Sequence, residues 1–238
     1  MELSMLRYED RAALIHGVAA LLCSRMAAHQ ARHGSVSVCL TGGDLANAVY
    51  DVVARLAGGD SSLKPGEVSL WWNWDLFVST DDPRRNSLQA LSRLAGVLPL
   101  DPAKIHPMSS ASTASDPEAA AIAYGVEVAS ADIDISLVEM TACGKIANIP
   151  AHLLPQSANP VVAMPDADPP KLIMTNPGLS ATKEMWILAS GTASAECLAR
   201  IAAGDPSLPA TYFACLPHAT WMVDQEAASL LPFHECRL

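Results

Sequence analysis

An apolar run of strand length, Val36-Ser37-Val38-Cys39-Leu40, leads directly into Thr41-Gly42-Gly43-Asp44. Apolar residues then recur at helical spacing, at Leu45, Val49, Val52, Val53 and Leu56. This order predicts a strand, a glycine turn and a helix. Glycines at such a junction let the backbone turn tightly and direct free N–H groups at an anion bound to the helix N-terminus.

The charge of this turn does not match a phosphate site. Asp44 is the first side chain of the predicted helix, and a carboxylate there suits the positive end of the helix dipole. It would cap the free N–H groups of a helix that begins near Leu45, and it would repel a phosphate dianion. We therefore predict that Asp44 caps the helix and that sugar phosphates bind this turn weakly.

Strand-like and helical patterns alternate along the chain. The predicted strands are residues 36–40, 68–72, 133–140, 161–164, 172–175 and 185–190. The predicted helices run from 14 to near Gly34, from 45 to 56, from 88 to 94, from Asp116-Pro117-Glu118 onward, and from 192 to 203 before Gly204. Such alternation predicts an α/β protein with three layers, a mainly parallel twisted sheet and helices on both faces. No linker or repeat divides the sequence, so we expect a single domain over 1–238.

Composition narrows the function classes. The chain has 238 residues, half of them hydrophobic, and its formal net charge of -10 excludes the positive surface that nucleic acids and anionic membranes require. The N-terminus lacks a signal-peptide pattern, and no uninterrupted apolar run approaches the roughly 20 residues that span a bilayer. The six cysteines and seven histidines show no metal-ligand spacing. We expect a cytoplasmic protein with free thiols, no cofactor and no metal.

The segments after the predicted strands resemble the 6-phosphogluconolactonase family, whose wider relatives include glucosamine-6-phosphate deaminase. Leu40-Thr41-Gly42-Gly43 matches the phosphate-loop strand of that family, and Ile105-His106-Pro107-Met108 matches its Ile-His-Pro strand. Further matches are Trp71–Asn86, Pro169–Thr175 and Trp221–Ala228. The resemblance covers nearly the whole chain and implies hydrolysis of 6-phosphogluconolactone in the oxidative pentose phosphate pathway.

The active residues depart from the family pattern. Its Gly-Gly-Ser-Thr-Pro is Gly42–Ala46 here, which loses two hydroxyls and gains a negative charge. Its Asp-Glu-Arg-Phe-Val is Trp74–Val78, which removes the arginine expected to hold phosphate. Its Gly-Met-Gly-Pro-Asp-Gly-His-Thr-Ala-Ser aligns with Glu139–Asn148, so Lys145 stands at the position of the base and Cys143 at that of its carboxylate partner. No residue is assigned a catalytic role.

These replacements bear directly on the chemistry. A lysine has a reference pKa of about 10.4, so it is protonated at neutral pH unless it is strongly desolvated. Loss of the general base alone lowers a rate by about 10² to 10⁴. Ser194 replaces a later basic residue of the family, whereas Lys171 keeps a positive charge where arginine is usual.

The candidate ligand-binding residues lie at strand ends or carry surviving positive charges. They are Gly42, Gly43, Asp44, Arg84, Asn86, Gly144, Lys145 and Lys171. Together with Arg85, these cations would hold a sugar phosphate or another acidic small molecule, or Arg84-Arg85 is a solvated loop beside Asp81 and Asp82. Trp71, Trp72 and Trp74 are interpreted as core or as a plug in preference to a stacking surface. His106 and His218 are interpreted as structural or surface residues.

The sequence supports two function hypotheses. The first is a 6-phosphogluconolactonase-like protein with weak or no hydrolysis of 6-phosphogluconolactone or another sugar lactone. The second is a non-catalytic pseudoenzyme that binds an acidic metabolite or a partner enzyme of the pentose phosphate pathway. A related sugar-phosphate isomerase or deaminase is a third hypothesis, but no acid and base pair supports it.

Overall fold

A computed structural model describes residues 3–59, 62–150 and 158–231 and contains ten strands and seven α-helices in those ranges. The strands are β1 (Met5–Tyr8), β2 (Val36–Leu40), β3 (Val68–Trp72), β4 (Trp74–Leu76), β5 (Ile105–His106), β6 (Ile135–Glu139), β7 (Val161–Met164), β8 (Lys171–Met174), β9 (Glu184–Ala189) and β10 (Ala219–Asp224). The helices are α1 (Arg11–His33), α2 (Asp44–Gly59), α3 (Asn86–Leu94), α4 (Pro117–Ser130), α5 (Asn176–Ser180), α6 (Ala195–Ala202) and α7 (Ala210–Ala214).

Seven strands form one parallel sheet in the order β1-β10-β9-β6-β2-β3-β5. The chain proceeds from β2 to β3 and β5 on one side, and from β6 to β9 and β10 on the other. The winding direction therefore reverses between β2 and β6. In open α/β sheets, ligands bind in the crevice outside the carboxyl ends of the strands at such a reversal.

The sheet is buried on both faces, as the sequence predicts. Alternate residues of β2 point to opposite sides: Val38 packs with α1, α2 and α3, whereas Cys39 packs with residues of α4 and α6. The same alternation places Leu70 and Trp71 of β3 in different core clusters. Burial on both faces explains why the strands read as continuous apolar runs.

A small antiparallel sheet, in the order β4-β8-β7, covers part of the sheet face to which Cys39 points. It was not predicted as a separate sheet. β4 has only three residues, too few to show a period of two. β1 was also missed, because it has only four residues and ends at a charged turn. β10 coincides with the Trp221 segment that was noted for its resemblance and not for its strand pattern.

Several predicted boundaries are confirmed. α1 ends at His33, directly before Gly34, whose φ of 85° is the left-handed conformation that favours glycine after a helix. Asp116 caps α4 by accepting the N–H of Glu118 at 3.0 Å. The helix predicted from residue 192 instead starts with a short 3-10 turn before α6. Residues 151–157 lie outside the described residues, and β7 occurs where a strand was predicted.

α1 is, by length and composition only, apolar enough to cross a membrane. The core helix of a globular protein passes the same test. Leu14, Val18 and Leu22 of α1 are buried in the core cluster that contains Val38 of β2.

Asp75 in β4 joins the strand-end loops on the β3 side of the sheet. Its buried carboxylate accepts the backbone N–H of Asn86 (2.7 Å), the hydroxyl of Ser87 (2.6 Å) and the guanidinium of Arg85 (3.1 Å). Arg85 also donates to the carbonyl of Met108 at 2.6 Å, beyond β5. These bonds fix the N-terminus of α3 beside the crevice.

We predict that Asp75→Ala lowers the free energy of unfolding by about 3–5 kcal/mol, because it leaves the buried Arg85 charge without its partner. Chemical denaturation measures the loss. Asp82→Ala is the matched control, since it removes a surface carboxylate from the Arg84–Asp82 pair, and we expect little change there. Equal losses in the two variants would contradict the assignment.

Candidate functional site

The turn after β2 lies at the reversal point of the sheet. Tyr50 of α2 holds it, because its hydroxyl accepts the N–H of Thr41 (2.9 Å) and donates to the carbonyl of the same residue (2.8 Å). Burial raises the pKa of Tyr50, so the phenol stays neutral. Gly43, two residues after Thr41, has a φ of 130°, a conformation that residues other than glycine rarely adopt.

Glu139, the last residue of β6, places its carboxylate at the start of α2. The backbone N–H of Ala46 donates to its Oε2 at 3.0 Å, and the N–H of Leu45 also donates to this carboxylate. A Cβ atom on Gly43 would overlap the carboxylate. Burial raises the pKa of Glu139, and the hydrogen bonds from α2 oppose this shift only in part. Glu139 is thus a partly desolvated acid at a helix N-terminus.

The prediction that Asp44 caps this helix is wrong. α2 begins at Asp44 itself, and the side chain of Asp44 is exposed. The hydrogen bonds predicted for its carboxylate go to Glu139 instead. A side chain from a neighbouring strand approaches the N–H groups along the helix axis, whereas a residue within the first turn points outward from it.

Asn86 occupies the space beside the first glycine of the turn. A Cβ atom on Gly42 would overlap the carboxamide of Asn86, whose Nδ2 donates to the carbonyl of Trp74 at 3.0 Å. Gly42 and Asn86, both predicted to bind a ligand, are therefore brought together by the fold. In this structure Gly42 and Asn86 contact each other.

The loop after β6 is a tight turn closed by its own hydrogen bonds. Thr141 N–H donates to the carbonyl of Lys145 (2.9 Å), Gly144 N–H donates to that of Thr141 (2.9 Å), and Met140 pairs with Ile146. The side chains of Lys145 and Cys143 are exposed. The Sγ of Cys143 lies 3.2 Å from the Oγ1 of Thr141, and this hydrogen bond is the main cause that lowers the thiol pKa.

The cations that were predicted to line one crevice differ in their surroundings. The guanidinium of Arg84 donates two hydrogen bonds to Asp82, of 3.0 and 2.7 Å, at the protein surface. Arg85 is buried against Asp75, so it belongs to the framework and not to a solvated loop. Lys171 begins β8, opposite Leu76 of β4. Leu76, at the position of the family arginine, is itself buried.

The tryptophans and histidines that were considered as site residues lie mainly in the core or away from the crevice. Trp71 and Trp72 are core residues, as predicted, and Trp74 is half-buried against the core. The ring of His106 stacks on Trp71 with centroids 4.0 Å apart. His218 precedes β10 and lies at the amino end of the sheet, where its carbonyl accepts the N–H of Met185. His218 is therefore remote from the crevice.

Sequence reasoning missed Glu139 and Asp224, two of the carboxylates that organise the strand ends around the crevice. Glu139 was visible as an acidic residue where the resembled motif has glycine, but the position of the family base drew attention to Lys145 instead. Asp224 accepts the hydroxyl of Ser190 (2.5 Å) and the N–H groups of Gly191 (3.0 Å) and Ala227 (2.8 Å). Within residues 3–59, 62–150 and 158–231, no group of three or more acidic, His or Cys side chains could hold a metal ion.

The chain is similar to known proteins over most of its length. The family model described as Glucosamine-6-phosphate isomerases/6-phosphogluconolactonase matches residues 9–221. The 6-phosphogluconolactonase of Streptomyces coelicolor is 31% identical, covering 94% of this chain and 93% of that protein. The 6-phosphogluconolactonase of Mycobacterium tuberculosis is 28% identical, covering 94% of this chain and 97% of that protein.

Solved structures share the fold at lower identity. The 6-phosphogluconolactonase of Thermotoga maritima superposes with a TM-score of 0.80 at 21% identity, covering 94% of this chain and all of that one. A monomeric glucosamine-6-phosphate deaminase gives a TM-score of 0.81 at 20% identity, covering 96% of this chain and 100% of that one. These likenesses establish a mainly parallel α/β fold with helices around the sheet.

We predict that the titration of Glu139 makes the stability of the protein depend on pH. Its pKa is raised in the folded protein above the ordinary value of 4.5, so the folded state binds this proton more tightly than the unfolded state does. The contribution of Glu139 to the free energy of unfolding therefore falls as pH rises from about 4.5 through the folded pKa, and is constant above it.

Denaturant titrations of the wild-type protein and of Glu139→Gln across this pH range measure the difference. Arg11 and Asp44 also act on Glu139, with opposite signs, and both are retained in the variant. A pH slope that is identical in the two proteins would show that Glu139 is not desolvated.

Proposed function

The chain belongs to the Glucosamine-6-phosphate isomerases/6-phosphogluconolactonase family, and we propose that it is a 6-phosphogluconolactonase-like protein with weak or no lactonase activity. The observation that carries the proposal is the loop after β6. At the position of the family base it presents Lys145, exposed, on a turn closed by hydrogen bonds to Thr141. The names of the curated relatives support a role in carbohydrate metabolism, and we place this role in the cytoplasm.

Lactone hydrolysis requires a group that takes a proton from water near neutral pH and a donor that stabilises the carbonyl oxygen. A lysine can serve as a base only where it is strongly desolvated, and the side chain of Lys145 is exposed. The partner position holds Cys143, whose thiol contacts Thr141. The base and the group that would orient it are thus both replaced.

An anchor for the phosphate is the third requirement, because it positions the lactone for attack. Leu76 replaces the arginine of the family motif, Arg85 is paired with Asp75, and Arg84 is paired with Asp82. Gly42, Gly43, Asp44, Arg84, Asn86, Gly144, Lys145 and Lys171 remain our candidates for contact with an acidic small molecule.

The alternative is a non-catalytic protein that binds an acidic metabolite or a partner enzyme of the pentose phosphate pathway. One surface feature favours a protein partner. On α4, the side chains of Ile122 and Val126 are 64% and 66% exposed, although they are four residues apart on one apolar helix face. Adjacent exposed aliphatic residues of this kind are frequent at protein interfaces.

We predict that the purified protein accelerates 6-phosphogluconolactone hydrolysis at least about 10²-fold less than a relative that keeps the histidine and arginine of the family motifs. The assay is corrected for spontaneous hydrolysis and run with both proteins at the same concentration. Lys145→Ala is the diagnostic variant. Turnover comparable with the relative, or a rate that collapses in Lys145→Ala, would overturn the proposal.

A further inference from the structure

We propose that the carboxylate of Glu139 is a built-in anion that occupies the phosphate position at the start of α2, so that Glu139 excludes phosphorylated ligands from this part of the crevice. The inference rests on the proposed function for the location of the ligand site. It deepens that function, because it names the residue that sets the ligand class. As built, the crevice admits ligands that carry no phosphate at this position.

The first argument is the geometry of the donors. An anion at a helix N-terminus is bound by the free backbone N–H groups of the first turn. Here the N–H of Ala46 donates to Glu139 at 3.0 Å, and the N–H of Leu45 donates to the same carboxylate. These donors already have a charged acceptor, so a phosphate must displace it before it can bind them.

The second argument is the space around Gly43. The absence of a side chain at a glycine turn permits close approach of a ligand to the backbone. In this protein the carboxylate of Glu139 fills the volume that a Cβ atom on Gly43 would need. The glycine is thus used for an internal contact that excludes an external one.

The third argument is the position of Glu139 in the sheet. β6 and β2 are neighbours at the point where the winding reverses. Glu139 is the last residue of β6, and its side chain reaches α2, the helix after β2. The side chain therefore crosses the crevice in which α/β sheets bind their ligands.

Glu139 and Asp44 differ in how strongly they repel an approaching anion, because they differ in exposure. Asp44 is exposed, so water and salt screen its repulsion of an approaching anion. Glu139 is half-buried, and its charge acts through a medium that screens less. Arg11 offsets part of this charge from the start of α1, and Tyr50 nearby stays neutral. Glu139 should therefore dominate the rejection of phosphate.

Calorimetric titration with 6-phosphogluconate tests the proposal, with inorganic phosphate as a second probe and unphosphorylated gluconate as the ligand control. We expect weak or undetectable binding of 6-phosphogluconate to the wild-type protein. Glu139→Ala should gain at least about tenfold in affinity, because it frees backbone N–H groups that can form charge-assisted hydrogen bonds with a phosphate. Gluconate should gain nothing. Asp44→Ser, the matched charge control, should gain less than Glu139→Ala.

Two results would overturn the proposal: no gain in affinity for 6-phosphogluconate in a folded Glu139→Ala, or a larger gain in Asp44→Ser than in Glu139→Ala. If Glu139→Ala does not fold, the near-isosteric Glu139→Gln replaces it, with a smaller expected gain because the amide still fills the space.

Nuclear magnetic resonance gives a readout that is independent of activity. The amide signals of Leu45 and Ala46 should titrate with a common midpoint above 4.5, the ordinary value for a glutamate, and this titration should vanish in Glu139→Gln. Amides that do not titrate in the wild-type protein would refute the internal anion. High lactonase activity together with a confirmed titration would refute the proposed weak activity alone.

Discussion

The backbone donors at the start of α2 impose the constraint on which the strand-end region depends. A helix N-terminus leaves its first N–H groups without partners inside the helix, and an unsatisfied donor is costly where water is excluded. In an enzyme of this architecture a bound anion can satisfy them. This chain satisfies them permanently with Glu139, at 3.0 Å from the N–H of Ala46. One strand-end residue thereby converts a ligand site into an internal contact.

The same principle recurs at other strand ends. Asp75 accepts hydrogen bonds from the N-terminus of α3 and from Arg85, and Asp224 accepts the N–H groups of Gly191 and Ala227. Carboxylates placed against helix N-termini and turns stabilise the loops that they contact. Donors and cations that are paired in this way are not available to a ligand. The rigidity of these loops is thus gained at the expense of their capacity to bind.

The fold could be predicted because its signals are local and repeated. Val36–Leu40, Val68–Trp72 and the glycine after α1 indicated strands and a helix end that the structure confirms. The site was less predictable, because its decisive contacts join residues far apart in sequence. Asp44 was the nearest acid to the helix, yet Glu139, 93 positions away from Ala46, makes the hydrogen bond. Sequence spacing within one segment carries no information about such a partner.

Fold and chemistry are separable in this protein because they depend on different atoms. The two core clusters consist of apolar residues that alternate across the sheet, such as Leu137 and Val138 of β6, and they hold the strands whatever residues stand at the strand ends. The next residue of the same strand, Glu139, lies outside both clusters and contacts the turn after β2 and the start of α2. A substitution there changes which anion meets the helix without disturbing the packing that positions it. A family framework can therefore persist over the whole sheet while its strand ends acquire a different ligand preference.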